Sequence, residues 1–450
     1  MLKSAADTIV AIATAPGKGG VGIVRIAGPE AHAMAARLVH PLPPVRYARH
    51  VKFHRPDTQE IIDDGLCLVF ASPHSYTGED IVELQGHGGP VVLDTLLQVI
   101  VQLGARLARP GEFTERAFLN GRIDLAQAEA VADLIDAGSQ AAAQAASRAL
   151  QGAFSQRVTQ INTALIELRM YIESALDFPE EEIDFLADDR IAQKNQRLIV
   201  DLDALMAETN QGILLREGMR VAIVGQPNAG KSSLLNQLAG DDRAIVTDIP
   251  GTTRDVLRAE IQIDGMPVHI IDTAGLRQSD DLIEQEGIRR AWQEIRSADA
   301  IMLMIDDRFG ITAEDQHTIQ QLPPKPVIQV HNKIDLTERV AGLDPDQTTV
   351  IGISAKTGAG IQDLRSCLKN LMGYQTTEGG QFIARRRHLD ALQQAHREVV
   401  ASLAALTENQ AGELAAESLR RAQLALDEIT GKFTADDLLG KIFGSFCIGK

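Results

Sequence analysis

The chain has 450 residues, of which 44% are hydrophobic, and a formal net charge of -17 at pH 7. This length suggests about three domains with cores of their own, and the negative charge argues against broad electrostatic binding of nucleic acid. The sequence has no apolar signal core and no run of 18 or more apolar residues, and its 3 cysteines form no C-x-x-C pair. We therefore expect a soluble cytoplasmic protein with free thiols, whose nucleic-acid partner, if any, meets a local basic patch or is held by a second protein.

The N-terminal part predicts a small α+β domain, which we place at residues 1–120. Four strand-like runs and one helical stretch lie in it: residues 9–13, 21–26, 65–70, 80–84 and 91–103. It also contains three segments with glycine: residues 76–80, 85–89 and 109–114. Glycine at a strand end usually reverses the chain, so a turn and a binding site are alternative interpretations of these segments.

Helical periodicity begins at residue 125 and continues to about residue 177, with apolar residues at Ile161, Leu165 and Leu168. An acidic stretch that contains a proline interrupts it, and we interpret this stretch as a solvated connector. A second long helix is predicted from about residue 188 to residue 215.

Helical sequence of the same composition returns at residues 385–430. We therefore predict one helical domain, residues 121–217 and 375–450, into which residues 218–374 are inserted. The insert alternates helical stretches with short apolar runs at residues 221–224, 268–271, 301–305, 327–330 and 350–353. This alternation is typical of a doubly wound parallel sheet. The predicted fold is multidomain, with an N-terminal α+β domain, an α-helical central domain and an inserted α/β domain.

The first apolar run of the insert leads into a phosphate-binding loop. Gly225 and Gly230 permit backbone angles at which successive N–H groups turn toward an anion. Lys231 can reach the outer phosphates and Ser232 can ligate Mg²⁺, while the helix that begins near Lys231 presents its positive end. A chance glycine turn is the alternative, and the strand before the loop and the helix after it argue against that.

Three more motifs follow strands of the insert. Asp272 can hold the Mg²⁺ shell, and the N–H of Gly275 can sense a γ-phosphate. Residues 332–335 and 354–356 close two later strands. Asp335 can accept two hydrogen bonds from guanine, whereas adenine would leave the carboxylate unsatisfied. Because open α/β sheets bind ligands at the carboxyl ends of their strands, these motifs together predict a guanine-nucleotide site.

The insert resembles the translation-factor-like GTPases of the P-loop class, and residues 249–255 resemble their first switch. This resemblance implies that Thr253 completes the Mg²⁺ coordination with Ser232, with Thr252 as the less favoured choice. Leu276 stands where Ras-like GTPases have a water-orienting glutamine, so another polar group must align the water. A monovalent cation held by Asn228 and switch carbonyls is one candidate for charge compensation, in place of an arginine finger.

A more specific resemblance extends over the whole chain. Its markers are residues 20–26, 76–80, 85–89, 109–114, 120–130 and 446–450. They resemble the TrmE/MnmE family of tRNA-modification GTPases, among the TrmE/Era-like GTPases. The last marker is the most diagnostic, because it matches the family's C-terminal C-x-G-K signature. Gln226 departs from the arginine of many members at a position that does not face phosphate.

The family resemblance implies an N-terminal domain that dimerises and binds 5-formyltetrahydrofolate. It also implies a homodimer that works with the flavoprotein MnmG in a heterotetramer-type complex. That complex adds an aminomethyl-type (carboxymethylaminomethyl) group to carbon 5 of the wobble uridine, position 34, of certain tRNAs. Potassium stimulates GTP hydrolysis in this family through pairing of the G domains, and the tRNA is bound with the partner's help. No membrane association is expected.

The site residues follow from the motifs and from the resemblance. Glu284 matches the catalytic glutamate of the family. The predicted nucleotide contacts are Asn228, Ala229, Gly230, Lys231, Ser232, Ser233, Thr247, Thr252, Thr253, Asp272, Thr273, Ala274, Gly275, Asn332, Lys333, Asp335, Ser354, Ala355 and Lys356. The predicted ligands of Mg²⁺ and K⁺ are Ser232, Thr253, Asn228, Thr247, Ile249 and Thr252.

A folate site is implied by the same resemblance. Arg25, Arg122 and Lys450 match its basic residues and Glu83 its acidic one, with Glu79 as the alternative. Arginine and lysine suit the carboxylates of a folate tail, and an acidic side chain suits the amino donors of the ring. From the residues alone, a solvated strand charge at Arg25 is the simpler interpretation.

A second function remains open, namely a GTP-dependent ribosome or RNA assembly switch without modification chemistry of its own. The C-terminal segment at residues 447–450 and the folate-like N-terminal domain argue against it, because an assembly factor needs neither. Cys447 is either a helix-end thiol or a nucleophile, and no histidine lies near it in the sequence to activate it. We leave it out of the predicted catalytic set.

Overall fold

The computed structural model describes residues 7–177, 189–240, 258–263, 265–272, 282–373, 382–408, 411–432 and 436–449. Two compact units make up the chain: Met1–Ala132 with Ala149–Asp201 and Ala391–Lys450, and Asp133–Arg148 with Leu202–Asp390. Their limits fall within helices, so the domain boundaries expected after residues 120, 217 and 374 stay a prediction. Across the described ranges, no helix is long and apolar enough to cross a membrane.

The first unit contains a six-stranded sheet. Its strands are β1 (Ile9–Ile12), β2 (Gly19–Ala27), β3 (Arg49–His54), β4 (Ile61–Phe70), β5 (Ile81–Gly88) and β6 (Arg106–Leu107). They lie in the order β3-β4-β5-β2-β1-β6, and every neighbouring pair is antiparallel except β1 with β6. The strand pair predicted near the N-terminus is confirmed, with Ile9 opposite Ala27.

Three helices accompany this sheet: α1 (Ala31–Leu38), α2 (Pro90–Gln102) and α3 (Glu112–Leu119). Helix α2 confirms the predicted helical stretch, and its Leu96 and Ile100 are fully buried in one core with Val24 and Leu84. The sequence did not predict α1, β3 or β6. Strand β3 is mostly polar and buries only Phe53, and its alternation rests on just two apolar residues, Val51 and Phe53, which is a weak strand signal.

Two glycines of the segment at residues 85–89 lie inside β5. Gly86 pairs with Gly22, and Gly88 pairs with Gly19. A side chain on Gly88 would collide with the backbone of Gly19, so the strands approach more closely than a Cβ atom allows. The turn interpretation is therefore wrong for these two glycines.

The remaining helices, in chain order, are α4 (Leu125–Ile135), α5 (Gln140–Leu150), α6 (Ala153–Asp177), α7 (Asp189–Glu217), α8 (Lys231–Gly240), α9 (Leu282–Ser297), α10 (Ala313–Gln321), α11 (Ile361–Leu371), α12 (Arg386–Thr407), α13 (Gly412–Thr430) and α14 (Asp436–Gly444). The long helices predicted on both sides of the insert are confirmed. Helices α6 and α13 pack together in the first unit, where the buried Nδ2 of Asn162 donates to Oδ1 of Asp427 at 2.8 Å. Such a buried amide and carboxylate fix the register of two otherwise apolar faces.

The second unit contains a seven-stranded sheet. Its strands are β7 (Met219–Gly225), β8 (Arg258–Ile263), β9 (Met266–Asp272), β10 (Ala300–Asp306), β11 (Val327–Asn332), β12 (Gly342–Leu343) and β13 (Val350–Ile353). The order is β12-β13-β11-β10-β7-β9-β8. The five inner strands are parallel, as predicted, whereas the edge strands β8 and β12 run antiparallel to their neighbours. The five predicted strands are these inner ones, and the structure adds an antiparallel strand at each edge.

The core of this sheet explains why the inner strands were recognisable. Ala222, Val224, Ile301, Leu303 and Ile305 are buried together on one side of the sheet. Strands β7 and β10 are buried on both faces, so they read as continuous apolar runs. The edge strands lack such runs, because each has only one neighbour to pair with.

Candidate functional site

The predicted nucleotide residues converge at the carboxyl ends of the parallel strands. In register, Gly225 at the end of β7 lies beside Met304 of β10, and Asp306 at the end of β10 lies beside Asn332 of β11. Asn332 in turn lies beside Ile353 at the end of β13. The loops that follow these strands therefore leave the sheet side by side, at the edge where α/β sheets bind ligands.

The loop between β7 and α8 has the backbone of an anion-binding loop. Asn228 and Gly230 have φ values of 64° and 101°, in the left-handed region. Asparagine tolerates this region better than most side chains, and glycine adopts it freely. Lys231 begins α8, and its Nζ donates to the carbonyls of Gly225 at 2.8 Å and Gln226 at 3.1 Å. The ammonium group therefore lies over the loop that precedes it, close to where phosphates would bind.

Asn332 joins the phosphate-binding loop to the loop after β13. Its side chain is buried, its Nδ2 donates to the carbonyl of Ala229 at 2.7 Å, and its Oδ1 accepts from the N–H of Ala355 at 2.9 Å. A side chain on Gly230 would collide with Nδ2 of Asn332, so glycine is needed there for the two loops to meet. One amide thus fixes two of the predicted binding segments relative to each other.

Replacing Asn332 with alanine should lower the free energy of unfolding by about 2–4 kcal/mol and weaken GDP binding. The reason is that the buried carbonyl of Ala229 and the N–H of Ala355 each lose a partner, at roughly 1–3 kcal/mol apiece. Urea unfolding and GDP titration of the full chain measure both effects. The exposed Asn370→Ala, in the same unit, is the matched control and should change stability by less than about 0.5 kcal/mol. An Asn332→Ala protein as stable as the control would contradict the bridging role.

Asp335 and Ser354 form the side of the site that faces a base. The hydroxyl of Ser354 donates to Oδ1 of Asp335 at 2.7 Å and accepts from the N–H of Thr357 at 3.2 Å. This hydroxyl holds one carboxylate oxygen in place and leaves Oδ2 and the remaining lone pairs available. A cavity of about 180 Å³ is lined by Leu336 and by seven of the predicted nucleotide contacts: Gly230, Ser233, Asn332, Lys333, Asp335, Ala355 and Lys356.

Asp306 is a residue of this site that the sequence reasoning missed. Nζ of Lys333 donates to its Oδ2 at 2.7 Å, while Arg308 contacts both of its oxygens. Arg308 and Lys333 hold the pKa of Asp306 well below its usual range, so the carboxylate is ionised at neutral pH. Lys333 has a φ of 71°, and its tether to Asp306 directs the aliphatic stem along the wall of the cavity. An acidic pair directly after an apolar strand, Asp306 and Asp307, was the available signal.

Several predicted residues lie outside the described residues: Thr247, Ile249, Thr252, Thr253, Thr273, Ala274, Gly275 and Lys450. Asp272 ends β9 and Glu284 lies in the first turn of α9, and only their backbone is described. Ser232 is exposed in the first turn of α8. The assignments for these residues remain as the sequence predicted them.

A second cluster surrounds Arg25 in the first unit. Nε of Arg25 donates to Oε1 of Glu83 at 2.9 Å, and Nη1 donates to the carbonyl of Gly449 at 3.3 Å. The guanidinium also lies over the rings of Tyr76 and Phe113, at 5.9 Å and 5.5 Å from their centroids. Arg25 is thus packed and paired, and the interpretation of a simple solvated charge is wrong.

The structure also separates the two candidate acidic residues. Glu83 lies opposite Arg25 in the pairing of β2 with β5. Glu79 instead contacts the buried Arg116, whose Nη1 lies 3.3 Å from its Oε2, and Arg116 also pairs with Glu112. A buried guanidinium needs such partners, so Glu79 has a role of its own. Of these two glutamates, Glu83 is therefore the one that pairs with Arg25.

Arg122 lies in the turn after α3, with an exposed side chain beside the left-handed Gly78. Gly78 belongs to the glycine segment that also carries Tyr76, whose hydroxyl lies 2.9 Å from that of Thr114. The C-terminal segment reaches the same domain, because the N–H of Gly111 donates to the carbonyl of Cys447 at 3.2 Å. Three of the sequence markers thus meet around one part of the N-terminal sheet.

The cysteines agree with the expectation of free thiols. Cys67 is buried, Cys367 is partly buried, and Cys447 is exposed. Burial raises the pKa of Cys67 to about 12, which keeps it protonated and unreactive. A further cavity, of about 740 Å³, lies near the amino ends of β7, β9 and β10. It is at the opposite edge of the sheet from the nucleotide residues.

Comparison with known proteins settles the family. Residues 8–122 match the model of the GTP-binding protein TrmE N-terminus, and residues 125–447 match the MnmE helical domain. The tRNA modification GTPase MnmE of Hydrogenovibrio crunogenus is 55% identical over 446 residues, which cover 99% of each chain. The chain belongs to the MnmE family of tRNA modification GTPases. This finding confirms the family resemblance drawn from the sequence markers.

Other MnmE relatives are equally similar. The tRNA modification GTPases MnmE of Legionella pneumophila strain Paris and of a Marinomonas species are each 55% identical, over 453 and 451 residues, and each match covers 99% of this chain. Among solved structures, a variant of Era from Aquifex aeolicus bound to GDP and AlF4- is 29% identical, with a TM-score of 0.28. The match covers 40% of this chain and 66% of the Era chain, and it adds nothing to the family assignment.

Proposed function

We propose that this protein hydrolyses GTP as a component of a tRNA wobble-uridine modification complex. The observation that carries the proposal is the near-full-length similarity to MnmE proteins, combined with a nucleotide site whose loops converge on Asn332. The product is a carboxymethylaminomethyl-type group at carbon 5 of uridine 34, formed with a flavoprotein partner of the MnmG kind. Formyltetrahydrofolate is the proposed one-carbon donor, and the protein acts as a homodimer in the cytoplasm.

Nucleotide binding is assigned to groups of the phosphate-binding loop and the base site. The N–H groups of Asn228, Ala229 and Gly230 and the ammonium of Lys231 bind the phosphates, while Asp335 accepts from guanine N1 and its amino group. The exposed hydroxyl of Ser232, with Thr253 and Asp272, offers the oxygen donors that Mg²⁺ prefers. Bound Mg²⁺ would neutralise charge on the β- and γ-phosphate oxygens. Glu284 is the residue that orients the attacking water.

Potassium is expected to accelerate GTP turnover over sodium at matched ionic strength, by roughly tenfold or more, as electrostatic stabilisation of developing charge can. The exposed amide of Asn228 is one proposed oxygen donor to the cation, and the family resemblance assigns the others to residues 247–252, which lie outside the described residues. Leu276 provides no water-orienting group. Steady-state turnover in the two salts measures the effect. Asn228→Gly retains the left-handed φ while removing the amide, so its turnover should no longer respond to potassium. Equal wild-type rates in both salts would rule out the cation site.

Folate binding is assigned to the cluster around Arg25, with Glu83, Arg122 and Lys450. A guanidinium stacked over two aromatic rings suits a carboxylate attached to a flat ring system. Arg25→Gln should weaken binding of 5-formyltetrahydrofolate by roughly tenfold or more, because the charge-assisted hydrogen bonds to carboxylate are lost. Calorimetric titration measures it, with Arg37→Gln, an exposed arginine on α1 outside the cluster, as the control. Equal affinity of both variants would remove Arg25 from the folate site.

The modification itself is tested in cells. Mass-spectrometric profiling of tRNA nucleosides from cells that lack this chain should show loss of the carbon-5 group at the wobble uridine. Restoring the wild-type chain should restore the group. Unchanged wobble uridines in the deletion would favour an assembly switch without modification chemistry.

A further inference from the structure

A cluster of two histidines and two aspartates lies on β3, β4 and β5, away from the contacts of Arg25. His50 is on β3, Asp63 and Asp64 are on β4, and His87 is on β5. One ligand atom from each of Asp63, Asp64 and His87 lies within 4.8 Å of the other two. Nε2 of His50 lies 3.5 Å from Oδ2 of Asp64, on the edge of the same group.

The centre of this cluster is held in place before any ligand binds. Oδ2 of Asp63 accepts from the backbone N–H of His87 at 2.8 Å, and its Oδ1 lies 2.7 Å from Nδ1 of the same residue. A side chain on Gly86 would collide with Oδ2 of Asp63, so glycine at this position makes room for the carboxylate. Only 9% of the Asp63 side chain is exposed, which leaves it little freedom to turn away.

The two carboxylates lack the partners that normally neutralise such a pair. Within the described part of the chain, no lysine or arginine forms an ion pair with Asp63 or Asp64, and the imidazoles of His87 and His50 contact them instead. Lys52 lies opposite Asp64 in the strand register without pairing with it. Two carboxylates and two imidazoles that converge in this way present a net negative charge with several donor atoms.

We propose that Asp63, Asp64 and His87, with His50 as a fourth ligand, bind a divalent cation of the zinc type. Imidazole nitrogen with carboxylate oxygen is a donor set for zinc, cobalt or nickel, whereas calcium and magnesium prefer oxygen alone. Ligand bonds of about 2.0–2.2 Å place tetrahedral ligands roughly 3.4 Å apart. The side chains of His50, Asp64 and His87 are exposed by 67%, 47% and 69%, so they can close that distance by rotation.

The space beside the cluster leaves room for these side chains to rotate toward one another. A cavity of about 370 Å³ is lined by His50, Asp64 and His87 together with Gly65 and Gly86. A side chain on Gly65 would collide with the carbonyl of Gln85, so glycine lets β4 and β5 approach closely beside the cavity. The alternative role is a clasp between Asp63 and His87 that only joins β4 to β5. That clasp requires neither Asp64 nor His50.

Calorimetric titration of the full, chelator-treated chain with ZnCl₂ tests the proposal, with Mg²⁺ and GDP present to saturate the nucleotide site. We expect one binding event that Asp64→Asn and His87→Gln each weaken at least tenfold, and that His74→Gln, an exposed histidine outside the cluster, leaves unchanged. Cobalt should give the visible absorption of a tetrahedral site in the wild type and lose it in Asp64→Asn.

Asp64→Asn is the deciding variant, because it is nearly isosteric, exposed, and leaves the contact between Asp63 and His87 intact. Circular dichroism of each variant establishes that it is folded before its affinity is interpreted. Zinc affinity that is the same in the wild type, Asp64→Asn and His87→Gln would overturn the proposal. Absence of zinc binding to the wild type at micromolar concentration would overturn it as well, leaving the clasp as the role of the cluster.

Discussion

Replacing Glu284 with alanine should slow GTP hydrolysis by roughly 10²- to 10⁴-fold, the usual loss when a positioned acid–base group is removed. Affinity for GTP should change little, because the phosphate-binding loop, Asn332 and Asp335 carry binding and none of them is altered. Glu284 lies in the first turn of α9, which follows the predicted switch segment, so it can reach the γ-phosphate when pairing of the nucleotide domains orders that segment.

Single-turnover hydrolysis and GTP affinity, measured on the same variant, separate catalysis from binding. Glu286→Ala is the matched control, since it removes the same charge from the same helix two residues further on. Two residues rotate about 200° around a helix, so positions 284 and 286 lie on opposite faces of α9. Turnover like that of the control, or a loss explained by weaker binding, would exclude Glu284 from the mechanism.

Replacing Asp335 with asparagine should weaken GTP and GDP binding by roughly 10²- to 10⁴-fold, in the range expected when a site built for polar contacts loses them. Asparagine presents an amide nitrogen where the carboxylate accepted from guanine. Xanthine has a carbonyl where guanine has its amino group, so it can accept from that amide. The preference of the variant should therefore move from guanine to xanthine nucleotides.

Competition of GDP, XDP and ADP against a fluorescent nucleotide measures this preference. Ser354→Ala is the control, because it removes the hydroxyl that donates to Oδ1 of Asp335 but keeps the carboxylate. It should lose about tenfold in GDP affinity and still prefer guanine. An Asp335→Asn protein that retains GTP selectivity would contradict the assignment of the base site.

The nucleotide motifs could be predicted from the sequence because each follows a strand that is buried on both faces. Strands β7, β10, β11 and β13 read as apolar runs, and the motifs close them. The role of Asp306 could not be predicted in this way. It depends on β10 lying next to β11 in register, which brings Lys333 within 2.7 Å of its carboxylate. Local periodicity identifies strands but not their neighbours in the sheet.

The N-terminal site was harder to predict for the same physical reason. Glu79 and Glu83 lie four residues apart, and only the pairing of β2 with β5 places Glu83 opposite Arg25. A turn stays open as one interpretation of Gly86 and Gly88 in the sequence, because glycine in a turn and glycine under a close strand look alike there. Short, polar elements such as β3 and β6 carry too little apolar pattern to be recognised.

The hydrogen bond between Arg25 and Gly449 can form only after nearly the whole chain has been synthesised. The two residues are 424 positions apart. At about 5–20 residues per second, the ribosome would add Gly449 roughly 20–85 s after Arg25. The pairing with Glu83 needs only the first part of the chain, so it can hold the guanidinium during this interval. Nascent chains that stall within α12 or α13 would therefore carry a folded N-terminal sheet in which Arg25 still lacks its hydrogen bond to the carbonyl of Gly449.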